Sequence, residues 1–203
     1  DIDIGHHVDD YVGVDVERGA YYGYNGDNFD EGRYEDRLAA QGVVVLRGPL
    51  ADATGGDSPR SVLNVASSSG TGYGDAIPDN ERIGLTSFRY YDNDFTAKGN
   101  PSIADHFYGY MTDRWKDTSF VSYGGNGYGG SGPRAHFMYP DTSDPLGFGT
   151  GGAVQPRWSE ITASNSPFDR RGLGATGTFT FDSQEEICLT HAYVFSRSAK
   201  GSS

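Results

Sequence analysis

Thirty of the 203 residues are glycine, and no other feature limits the fold of this chain so strongly. An interior glycine costs an α-helix about 1 kcal/mol relative to alanine. Glycine at roughly twice its usual share therefore argues against a helical bundle. The large apolar residues are chiefly aromatic, with 14 Tyr and 11 Phe. Short strands, many turns and an aromatic interior follow from that pairing. The expected fold is mostly β: a two-sheet, jelly-roll-like sandwich with one short amphipathic helix and long Gly-rich loops. A chain of this length fits a single domain spanning residues 1–203.

Strand-like runs occur at Tyr11–Val14, Ala20–Tyr24, Gln41–Arg47, Val62–Val65, Ile83–Tyr91 and Ala135–Tyr139. They are separated by Asp-, Gly- and Pro-rich turns such as Asn25-Gly26-Asp27-Asn28. Ala175–Phe181 and Ile187–Arg197, five residues apart, read as a terminal hairpin. Neither face of the second strand is wholly polar, so it is expected to be central, with the lone cysteine, Cys188, buried as a small apolar residue. One segment is helical, near 101–116. Asn100-Pro101 supplies its start, and Ile103, Phe107, Met111 and Trp115 form a stripe expected to pack against the sheet.

Charge excludes some partners. With 16 Lys and Arg against 28 Asp and Glu, the formal charge is −12. Nucleic-acid backbones require clustered basic residues, and so does an anionic membrane surface. No apolar stretch is long enough to span a bilayer, so membrane insertion is not expected either. A single cysteine rules out an intramolecular disulfide. A chain opening at Asp1 reads as a processed or excised segment.

The acids are 21 Asp and only 7 Glu, a bias toward the residue that serves turns and calcium loops. Asp1, Asp3, Asp9, Asp10 and Asp15, joined by Asn25, Asp27 and Asp30, form a candidate calcium site that would stabilise the fold. A set of Asx turns satisfied by their own side chains is the competing explanation. Gly125-x-Gly127-x-x-Gly130 and Gly147-x-Gly149-x-x-Gly152 mimic a dinucleotide fingerprint, but neither is followed by a helical pattern. Irregular loops are expected there instead. Tyr123, Tyr128 and Trp158 are candidates for stacking on a sugar ring, with core packing as the alternative for the tyrosines.

Motifs of hydrolysis are missing. The histidines are His6, His7, His106, His136 and His191, with no His-Glu-x-x-His among them. Ser131 is not in a Gly-x-Ser-x-Gly string, because Pro133 stands at the last glycine. His106 and His191 read as structural. Asp169 with Arg170 or Arg171 is expected to pin a loop by an ion pair.

Several strings also carry a resemblance. Asp9-Asp10-Tyr11-Val12-Gly13-Val14-Asp15 is followed by Tyr22-x-Tyr24-Asn25-Gly26-Asp27. Later come Phe107-Tyr108-Gly109-Tyr110-Met111, Trp115-Lys116-Asp117, Gly124-Gly125-Asn126-Gly127-Tyr128, Phe137–Asp141, Trp158-Ser159-Glu160 and Asp169-Arg170-Arg171. Together they resemble an uncharacterised β-rich domain of large secreted surface proteins of the Bacteroidota, associated with type IX secretion. The first third is also distantly similar to β-sandwich regions of immune-inhibitor-A-like metalloproteases. The resemblance implies extracellular or cell-surface residence and an accessory role. It also implies a lost disulfide, since Val14 stands where that family often has cysteine. The expected function is a non-catalytic module for adhesion, surface assembly or glycan binding, with glycans or other surface proteins as partners and calcium as stabiliser. The alternatives are a subunit of an extracellular filament or sheath, self-assembling through sheet edges, and a polysaccharide-active enzyme using paired carboxylates.

Overall fold

The computed structural model describes residues 10–26, 29 and 35–199. It is a mostly-β, two-sheet sandwich. Six strands and one α-helix run in the order β1 (Asp10–Asp15), β2 (Ala20–Asn25), β3 (Ala39–Arg47), β4 (Ser87–Asp92), α1 (Ala104–Met111), β5 (Arg170–Ala175) and β6 (Thr190–Arg197). The first sheet has the order β1-β2-β3-β6 and the second pairs β4 with β5. All neighbours are antiparallel.

The β1–β2 hairpin is closed by its own side chains. Asp15 accepts from the Arg18 amide at 3.0 Å and from its guanidinium at 2.7 Å, and Gly19 takes the positive φ that the turn requires. Beyond β1 the sheet edge is sealed by loops rather than by another strand. The amides of Asp10 and Val14 donate to the carbonyls of Phe168 and Tyr139. The amide of Val12 donates to the Glu160 carboxylate.

The sheets meet where β5 packs over β1 and β2. Tyr21 of β2 lies against Phe88 of β4, ring centroids 5.3 Å apart. This approach needs Gly174 on β5, where a Cβ would run into the Tyr21 ring. Behind the second sheet sits the main core, built from Phe88, Tyr90, Tyr110, Trp115, Phe137 and Tyr139. Tyr90 and Tyr110 each meet Trp115 edge-on, while Tyr90 and Tyr139 are stacked.

Several expectations need correction. The Ile103, Phe107 and Met111 stripe of α1 is about half exposed, and the helix is anchored instead by Gly109 and the fully buried Tyr110. The Tyr110 hydroxyl donates to Gly99 O at 2.6 Å, so a polar tip, not the longest apolar row, chose the inward face. The helix begins at Ala104 with Ile103 as its N-cap, rather than at Asn100-Pro101.

The two C-terminal β-runs do not form a hairpin with each other. Of the first run only Ala175 lies in a strand, as the last residue of β5, which pairs with β4; residues 176–181 are irregular, and the second run supplies β6, which pairs with β3 in the other sheet. β6 is an edge strand, exposed along its length, because a two-stranded sheet cannot cover four strands. Cys188, in the extended approach to β6, is exposed for the same reason. Residues 62–65 lead into a 3-10 turn at Val65–Ser67 instead of a strand. Ala135–Tyr139 contributes one bridge, Phe88 with Phe137, yet is deeply buried.

Candidate functional site

A cavity of about 450 Å³ opens between the C-terminal end of α1 and the start of β4. Tyr108 and Met111 come from the helix, Ser87 from β4, and Asp113, Arg134 and His136 from the loops that follow. The chemistry centres on Asp113, which sits just past the helix at φ 62° with a buried carboxylate. Its Oδ2 is 2.5 Å from His136 Nδ1 and accepts from Arg134 Nη2 at 3.1 Å. His136 is fixed by its backbone too: its carbonyl accepts from the Phe88 amide and its amide donates to Gly149 O.

With Nδ1–H directed at Asp113, neutral His136 keeps its lone pair on Nε2. That atom accepts a hydrogen bond from a hydroxyl, and when protonated it donates to an anion. Ser87 is not poised as a nucleophile on this pair, since its Oγ donates to Met111 O at 3.4 Å.

Arg89 lies behind this cluster and is 2% exposed. Its guanidinium is held between the rings of Tyr110 and Trp115, at 4.0 and 3.9 Å from their centroids. Nη1 donates to Arg114 O at 2.6 Å. Burial pulls its pKa down to about 10, opposed by Tyr110 and Asp113, so it remains a cation at neutral pH. Arg114 and Arg134 both lie against the Phe120 ring, at 3.9 and 4.1 Å from its centroid.

A second charged cluster ties the sandwich to its covering loops. Arg170 bridges Asp92 at 2.7 Å and Glu160 at 2.8 Å, with all three side chains buried. Burial pushes Glu160 up to about 7, against the pull of Arg170 and of hydrogen bonds from Asn165 and the Val12 amide. The expected Asp169 ion pair is replaced by this bridge; Asp169 instead accepts from Asn93 at 2.6 Å. A larger hollow of about 570 Å³ lies beside Arg82, Asp52 and Cys188. Two of its polar side chains are engaged locally, Asp52 with Thr180 and Arg82 with Gly48 O.

Of the proposed sugar-stacking aromatics, Tyr123 and Trp158 come together, with centroids 4.5 Å apart. Trp158 is only 3% exposed, and the Tyr123 hydroxyl donates to Pro156 O. Tyr128 sits edge-on to Trp115 and donates to Asp117. The first Gly-rich string drapes over this core. Gly125 O accepts from Trp158 Nε1 and Gly127 O from Trp115 Nε1, each at 2.9 Å. Asn126 O accepts from Tyr90. A Cβ on Gly127 would strike the Met138 methyl. In the second string, the amides of Phe148 and Gly149 are filled by the Asp144 carboxylate.

Of the proposed calcium ligands, Asp1, Asp3, Asp9, Asp27 and Asp30 lie outside the described residues. Asp10 and Asn25 face each other across β1 and β2. Asp15 stands at the opposite end of β1, bound to Arg18. Among the described residues, no group of three or more His, Cys, Asp or Glu could hold a metal ion. No helix among them is long and apolar enough to cross a membrane.

Asp113 and Arg134 were not singled out by sequence reasoning, and His136 was noted only as a histidine. Asp113 lies more than twenty positions before the other two, and the three share no motif. The one local hint was an acid just past a helix end. Comparison with protein-family models, curated proteins and solved structures gave no match.

Proposed function

We propose that this protein is a non-catalytic, extracellular or surface-displayed module that binds carbohydrate in the cavity between α1 and β4. One observation carries the proposal: an exposed tyrosine ring and a rigid polar cluster line the same hollow. Tyr108 is 63% exposed. His136, Asp113 and Arg134 are locked into one hydrogen-bonded unit beside it. A sugar presents an apolar C–H face and a rim of hydroxyls. A flat ring flanked by planar donors and acceptors complements both. Pockets with a few fixed polar groups on an apolar wall are the usual form of a small-ligand site. The extracellular setting rests on the sequence resemblance.

The test is a chemical-shift titration of the isotope-labelled protein with a panel of short oligosaccharides. At least one should shift the resonances of Tyr108 and His136. Tyr108→Ala should weaken that ligand about tenfold, or ~1.4 kcal/mol, without lowering stability, because the ring is largely outside the core. A wild-type protein that ignores every oligosaccharide, or a variant that binds as well as wild type, would remove this function.

A further inference from the structure

The charge around the cavity runs against the charge of the chain. The protein as a whole is at −12. Yet among the described residues lining this hollow, Asp113 is the sole acid, beside Arg134 and His136. Its Oδ2 is already shared by those two side chains. Arg89 stands behind it, buried and electrostatically coupled to it. Arg114 shares the Phe120 ring with Arg134. Asp117, the other acid of this loop, is taken up by Ser119 and Tyr128. Three guanidiniums thus converge on a region whose cavity wall offers a single, committed carboxylate.

Arg134 is the member that reaches solvent, with its side chain 44% exposed. One of its nitrogens is bound to Asp113, and stacking on Phe120 holds the guanidinium plane. A planar guanidinium held in this way pairs well with a carboxylate, which accepts two parallel hydrogen bonds. An anionic group entering elsewhere on this acidic surface would be repelled; here it meets positive charge.

We infer that the carbohydrate carries a carboxylate, and that the cavity takes a uronic acid residue of an acidic polysaccharide with its carboxylate on Arg134. This rests on the carbohydrate-binding function proposed above and narrows it to one class of sugar.

Three probes separate the possibilities by calorimetry: a galacturonic acid trimer, the matching neutral galactose trimer, and acetate. The uronate trimer should bind roughly tenfold tighter than the neutral one, the size expected of a single charge-assisted contact. Arg134→Gln should erase that preference, bringing the two trimers to equal affinity, and Arg134→Lys should restore part of it. Should the glutamine variant fail to fold, wild-type protein still decides the matter. Uronate affinity must fall with added salt while neutral-sugar affinity does not. Equal binding of both trimers overturns the uronate inference and leaves carbohydrate binding standing. Acetate binding as tightly as the uronate trimer overturns it also, because the site then recognises a bare carboxylate. If neither trimer binds, the uronate inference falls, and the oligosaccharide panel alone decides carbohydrate binding.

Discussion

Strands β4 and β6 make an instructive pair. The first, Ser-Phe-Arg-Tyr-Tyr-Asp, carries two charges and is buried at all six positions. The second is uncharged from Thr190 to Ser196 and exposed along almost its whole length, with Tyr193 at 68% and Val194 at 47%. Hydropathy alone would exchange their places. What decides is cover. The helix α1, the segments on either side of it and β5 bring partners to the polar groups of β4: Arg114 O and the Tyr110 and Trp115 rings for Arg89, Lys98 and Arg170 for Asp92. Among the described residues nothing comparable lies over β6, since the second sheet packs on β1 and β2. In a glycine-rich fold with an aromatic interior, burial follows the path of the loops more than the apolar count of a strand.

The sharpest way to break this comparison is Trp115→Ala. Trp115 closes the core over β4 against Tyr90, Tyr110 and Arg89. Its removal should cost about 3–5 kcal/mol, read from urea unfolding. A loss below about 1 kcal/mol would mean that β4 is not held by its cover.

The next effect concerns pH. Glu160, one of the charges behind β4, holds its proton up to about 7 in the folded state. The unfolded chain gives it up near the ordinary glutamate value of 4.5. Between those values the native state binds more protons than the unfolded one, so stability falls as pH rises through the window and levels off above it. The fall is on the order of 3 kcal/mol. Glu160→Gln should flatten it, seen as the difference between wild-type and variant urea midpoints at either end of the window. An unchanged slope in the variant would assign the proton elsewhere.

The smallest effect belongs to β6. Tyr193→Thr removes a large ring from an exposed strand and should change stability by less than about 0.5 kcal/mol. A melting-temperature drop as large as that of the tryptophan variant would show that β6 is covered after all.

Much of the architecture was legible. The strands β1, β2 and β3 followed from β-rich runs bounded by turn residues, and the helix from its fourfold apolar spacing. The Gly-rich strings were readable as irregular loops because no helix pattern followed them. The outward stripe of α1 was not, because spacing identifies a face without saying which way it points. The cavity was hidden for a different reason. Asp113 meets His136 only after Asp113 takes a left-handed turn and the loop returns along β4. Tertiary assembly creates that contact, and no local pattern encodes it. Buried Arg89 was equally opaque, as its burial depends on two rings far along the chain.

The glycine-rich loop over the core has one more consequence. The protein contains two tryptophans, and each hands its indole N–H to a carbonyl of that loop. Ultraviolet emission therefore amounts to a gauge of this one strap. Peeling residues 124–130 away would hydrate both fluorophores at once and redden the spectrum, even with the six strands still paired.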